Sequence, residues 1–134
     1  MSATDTALRL VENLIAHVKA IREQGFLDRK ERERAVMAIL AAAIETRRYL
    51  ADTRDDEHSR SRDREKELSS TWLAAADTVG RYDRRLQMIA MRKSDGWADP
   101  SRWPILKRSD VPLDLETIVR HCEWLLTHIH PHQR

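Results

Sequence analysis

The sequence predicts an all-α fold: an antiparallel bundle of four main helices plus one short helix, with a long Trp-containing loop before the last helix. Three observations lead there. Only 3 Gly and 4 Pro occur in 134 residues, against 34% charged residues, a balance that favours helix over sheet and disorder. Apolar residues recur at helical spacing along most of the chain. The run from Ala35 to Ile44 is apolar on every side and flanked by dense charge. A helix of that kind wants protein around it and is too short to span a bilayer, so it is predicted as the buried central rod of one domain, residues 1–134.

The first helix is expected from Thr4 to Gln24, with Thr4 or Asp5 as its cap and Gly25 just past its end. Leu8, Leu10, Val11, Leu14, Ile15, Val18 and Ile21 fall on one arc about 160° wide at 100° per residue. That is a core face, broader than a coiled-coil seam. The second helix is expected from Asp28, where Asp28-x-x-Glu31 resembles a capping box, to Ala51. A gap of three or four residues makes the two helices antiparallel neighbours. Val36, Ile39, Leu40, Ala43 and Leu50 form the second helix's inward arc, widened by Met37 and Ile44. Arg47 lies within that arc, either with its stem packed and its head at the bundle end or buried against a carboxylate such as Glu12 or Asp77.

Asp55 to Ser61 reads as a solvated connection. The third helix starts near Ser61 and carries Leu68, Trp72, Ala75 and Val79 at bundle-seam spacing. Gly80 and the potential cap Asp83 predict a break, followed by a short helix from Arg84 to Lys93. Ser94 to Leu113 reads as an irregular loop pinned by Trp97 and Trp103. The last helix starts between Pro112 and Leu115 and ends before Pro131, with Leu115, Ile118, Val119, Cys122, Leu125, Leu126 and Ile129 on its inner face.

The functional classes narrow quickly. There is no glycine-rich phosphate loop and no Gly-x-Ser-x-Gly. No Glu-x-x-His pair of a di-iron bundle occurs, and Arg54 to His58 and Arg9 to His17 miss the spacing of helical ribonucleases. No catalytic residue, cofactor or metal site is assigned. His121, His128, His130 and His132 could bind zinc or nickel adventitiously, but they straddle a helix end and a proline, where chains fray. The single cysteine, Cys122, excludes an internal disulfide and fits a reducing compartment. With no apolar leader and no run near 20 apolar residues, a cytoplasmic location without membrane contact is expected. The net charge of +2 sets no global field for nucleic acid.

Two surfaces remain. Trp124 projects away from the core face of the last helix, with His121 and His128 on the same side: either the long Trp-containing loop folds back and covers it, or with Trp97 and Trp103 it makes a candidate protein-binding or self-association surface. The alternative is nucleic-acid binding through Arg81, Arg84, Arg85, Arg92, Lys93, Arg102, Lys107 and Arg108, interleaved with Trp97 and Trp103.

The segment Arg62-Asp63-Arg64-Glu65-Lys66-Glu67-Leu68-Ser69-Ser70-Thr71-Trp72, with Glu45-Thr46 upstream and Trp97-Ala98-Asp99-Pro100-Ser101-Arg102-Trp103 downstream, resembles a class of short uncharacterised bacterial all-helical proteins. The resemblance covers roughly residues 40–103. It implies bacterial origin and a small helical fold, and nothing catalytic. If these positions share a site, Glu45, Arg48, Arg62, Arg64 and Glu65 are expected to pair across the bundle end and fix how the Trp loop docks.

Overall fold

The computed structural model describes residues 3–108 and 113–128, and every regular element among them is helical. The chain divides into two compact units, Met1–Glu31 and Arg32–Arg134. Helix α1 (Ala3–Thr53) runs through both. It is followed by α2 (Arg62–Val79), α3 (Arg84–Ala98), the four-residue α4 (Trp103–Leu106) and α5 (Leu115–His128). Single 3-10 turns occupy Glu57–Ser59 and Pro100–Arg102. Among the described residues no helix is long and apolar enough to cross a membrane.

Two sequence-based boundaries change. The expected break at Gly25 is absent, and the two antiparallel helices are one 51-residue helix. A lone glycine opposes helix by only about 1 kcal/mol, and the charged neighbours on both sides are good helix formers. The stretch read as a loop from Ser94 is also largely helical. α3 continues to Ala98, with Gly96 inside it. Glycine suits that position because Trp103 lies flat against it: a Cβ on Gly96 would sit 2.4 Å from the Trp103 ring. Asp99 then starts the next turn by accepting hydrogen bonds from Ser101 N (3.2 Å) and Ser101 Oγ (2.6 Å), with Pro100 in the first helical position.

The other boundaries follow their caps. Ser61 Oγ accepts from Arg64 N to start α2. Asp83 Oδ1 accepts from Leu86 N at 3.0 Å to start α3 after the break at Gly80. Pro112, Ile129, His130, Pro131 and His132, and the side chain of Ile21, lie outside the described residues.

In the Arg32–Arg134 unit, α2 and α3 pair antiparallel: Arg62 reaches the Ala98 carbonyl (2.8 Å), Ser69 the Ser94 carbonyl (2.8 Å) and Gln87 the Ala76 carbonyl (3.3 Å). The end of α1 runs antiparallel to α2 through Tyr49 to Glu65 and Trp72 to Thr46. Ala35, Ile39, Ala42, Thr46 and Tyr49 form the buried seam of α1, with Val36 and Ala43 beside it. The Ala35–Ile44 run is therefore helical but covered on one side only: Met37, Ala41 and Ile44 are exposed. Arg47 and Leu50, both expected inside, are exposed as well, because the seam continues through Thr46 and Tyr49, two residues whose polar atoms find partners. α5 buries Ile118 and Cys122 and half-buries Leu115, Val119, Leu125 and Leu126, as its periodicity predicts.

Gly96→Ala is expected to force Trp103 off α3 and to lower stability by about 1–3 kcal/mol, read as a reduced denaturant midpoint. An unchanged midpoint would show that this close approach is dispensable.

Candidate functional site

Residues from the end of α1, the start of α2 and the end of α3 converge on one buried carboxylate. At one end of the α1–α2 pair lies Glu65, only 1% exposed. It stands in the first turn of α2, where the unpaired backbone N–H groups favour a carboxylate. Tyr49 Oη donates to its Oε2 at 2.5 Å, and Arg62 Nη1 donates to its Oε1 at 2.5 Å. Arg60 Nη2 approaches Oε2 at 3.4 Å. Tyr49 Oη also accepts from Ser61 N at 3.1 Å, so one phenol ties the carboxylate to the cap of its own helix. Burial alone pushes the Glu65 carboxyl up; the Tyr49 and Arg62 hydrogen bonds and the two guanidinium charges outweigh it and hold the group below its ordinary range.

Arg62 extends the network. Besides Glu65 it donates to the carbonyls of Trp97 (3.3 Å) and Ala98 (2.8 Å), closing the C-terminal end of α3 onto the start of α2. Trp97 meets Tyr49 edge-to-face at 5.5 Å and Trp103 edge-to-face at 5.5 Å. Its Nε1 finds no acceptor among the described residues, so ring packing is what holds it. Arg64 lies over the Tyr49 ring, 5.0 Å from its centroid, and pairs with Asp52 at 3.1 Å. One turn along, Trp72 Nε1 donates to Thr46 Oγ1 at 2.8 Å, and Thr46 Oγ1 donates to the Ala42 carbonyl at 2.8 Å. Glu45 and Arg48 are exposed and pair with each other at 2.8 Å, apart from this network.

Trp97 is therefore corrected as a contact residue: it is buried in the core, and Trp103 is half-buried over Gly96. Both pin the chain rather than present a surface. Trp124 behaves differently. It is 55% exposed, stacked on His128 at 4.0 Å and parallel to His121 at 6.4 Å. His128 Nδ1 is 2.7 Å from the Trp124 carbonyl, which fixes the imidazole against the indole. His121 Nε2 lies 3.3 Å from Asp83 Oδ2, so the residue that caps α3 also anchors α5.

The basic residues do not make one face. Lys93 is buried, with its ammonium 5.6 Å from the Trp103 ring. Arg92 is half-buried with Nη1 enclosed, and Arg102 is paired with Asp95 at 2.9 Å. Arg81 lies beside Tyr82, 5.8 Å from its ring. Arg84 and Arg85 are exposed at the start of α3, and Lys107 and Arg108 are exposed after α4, beyond its other end. Cys122 is enclosed, and burial, with Asp83 and Glu123 nearby, pushes its thiol up to about 12; it is a packed side chain, not a nucleophile. No group of three or more potential metal ligands occurs among the described residues. A groove of about 580 Å³ along α2 and α3 is lined by Leu73, Ala74, Asp77, Gln87 and Met91, an apolar surface with one carboxylate. Compared with protein-family models, curated proteins and solved structures, the chain has no match.

The sequence reading placed Glu65 at the bundle end but missed Tyr49 and Lys93 as buried groups. The signal for Tyr49 was its place three residues after Thr46, on the stripe that continues Ala35, Ile39 and Ala42.

Two pH effects follow. Glu65 titrates below its unfolded value, so its contribution is complete at neutral pH and is lost as pH falls through the depressed folded-state value. Glu65→Gln is expected to be less stable than wild type at pH 7 and to show a smaller loss of stability in acid, measured by urea unfolding from pH 7 to 3; parallel curves would refute this. Burial, with Lys107 adding to it and Asp114 opposing it, pushes Lys93 down to about 8 from 10.5. Between those values the unfolded chain binds the extra proton, so this lysine makes stability rise with pH. Lys93→Met is expected to remove that rise and to add on the order of 2 kcal/mol at pH 7. Comparing the two proteins isolates Lys93 from Cys122, whose raised thiol acts oppositely above pH 9.

Proposed function

We propose that this chain is a non-enzymatic helical interaction module, acting as a homo-oligomer or an accessory subunit of a cytoplasmic bacterial assembly. In this reading the Arg32–Arg134 unit is an antiparallel bundle, and the surface of α5 around Trp124 is its docking spot. The observation that supports it most is the exposed indole held between two imidazoles. A tryptophan already fixed by stacking loses little conformational freedom on docking, and aromatic anchors of this kind dominate interface energetics. The Glu65–Tyr49–Arg62 network supports the same reading from the other side. Its buried carboxylate is hydrogen-bonded to the Tyr49 phenol and to Arg62, which suits a part in holding helices together.

Nucleic-acid binding stands second, because the exposed basic residues fall at separated places, Arg84 and Arg85 at the start of α3 and Lys107 and Arg108 after α4. Affinity for labelled DNA or RNA that falls steeply with salt would promote it.

The test compares tagged wild type and Trp124→Ala carried through the same purification from native cells. Wild type is expected to retain a partner chain, and the variant to lose it at least about tenfold, as a hot-spot truncation does. Equal retention overturns the role of Trp124.

A further inference from the structure

Residues 3–31 are helical, and the described residues of the face predicted as the core of this stretch are exposed. Leu8, Leu10, Val11, Leu14, Ile15 and Val18 are all between 39 and 65% exposed. Leu8, Val11, Ile15 and Val18 follow one another at three-, four- and three-residue steps, a straight stripe on a helix. Leu10 and Leu14 widen it on one side. A single helix takes most of its stability from packing an apolar face, and this segment has that face without the packing. Together the six side chains expose roughly 600 Å², the upper end of what a monomer leaves open.

We infer that residues 5–19 of α1 pair antiparallel with the same residues of a second copy of this chain. Two such faces would bury at most about 1,200 Å² in total, which only reaches the lower bound of a specific, stable interface. The flanking charges choose the direction. With Leu8 packed against the copy's Val18 and Val11 against its Ile15, Asp5 stands opposite the copy's Lys19, and the two-fold axis repeats that ion pair at the other end. Leu14 meets its own counterpart near the axis and closes the apolar layer. Glu12 also meets its counterpart there, the one like-charge contact of the arrangement. A parallel pairing would instead set Leu14 against Lys19 and Ala7 against Glu12, with no ion pair at all. Asp5, Glu12 and Lys19 are exposed, as this arrangement needs.

This surface is separate from Trp124, and the pairing stands whether or not α5 docks anything. Sedimentation equilibrium of the full chain at tens of micromolar is expected to give twice the chain mass of 15.7 kDa. Ile15→Asp is expected to return the mass to one chain, with its near-UV dichroism retained. All four tryptophans lie between positions 72 and 124, so that signal reports folding of the other unit. Glu12→Gln removes the like-charge contact and is expected to tighten the dimer about two- to fivefold, a gain that misfolding does not produce. Trp124→Ala is expected to leave the mass at two chains. A wild type of one chain mass, as a fold-back within the molecule or a need for a different protein would give, overturns the inference, and so does a dimer that survives Ile15→Asp. A dimer that Glu12→Gln leaves unchanged overturns the antiparallel register.

Discussion

A carboxylate at 1% exposure is the constraint around which the Arg32–Arg134 unit is arranged. Removing Glu65 from water is unfavourable unless its lone pairs and charge are answered, and the answers come from three places in the chain. Tyr49 supplies a hydroxyl from α1, Arg60 and Arg62 supply positive charge from the start of α2, and Arg62 carries the link onward to the last carbonyls of α3. One buried charge thereby sets the register of α1 against α2 and the position of the α3 end. A purely apolar contact would tolerate sliding by a turn; a carboxylate with directional partners does not.

The aromatic residues extend this register. Tyr49, Trp97 and Trp103 meet edge-to-face in sequence, and Gly96 admits the last ring by having no side chain of its own. The Trp97–Trp103 segment, which reads as an irregular loop pinned by its two tryptophans, is largely helical and forms the wall of the network. Trp72 adds a second polar tie through Thr46. Three of the four tryptophans are spent on holding helices together, which makes the exposure of Trp124 the exception that needs a function. The apolar face of residues 5–19 is a second such exception, in the unit that contains no tryptophan.

Sequence periodicity made much of this legible. The start of α2 near Ser61, the break at Gly80 with its cap at Asp83, the inner face of α5 and the outward position of Trp124 on that helix are all local properties. Each depends on residues within a turn or two of one another, and the chemistry of a cap or an amphipathic stripe does not wait for distant partners. Gly25 misled because a glycine's preference is worth about 1 kcal/mol, too little to end a helix whose neighbours favour it. Arg47 and Leu50 misled because hydrophobicity alone rotates the stripe; the true seam passes through Thr46 and Tyr49.

What the sequence determined by itself is the helical class, most helix starts, and the identity of the faces that must be hidden. What only the tertiary structure decided is which polar side chains go inside and which apolar ones stay out. Burial of Thr46, Tyr49 and Glu65 depends on partners 12 to 26 residues away, and that of Lys93 on a ring laid across it. No local pattern encodes that, because a polar group is stable in the interior only when a particular distant atom stands within hydrogen-bonding distance.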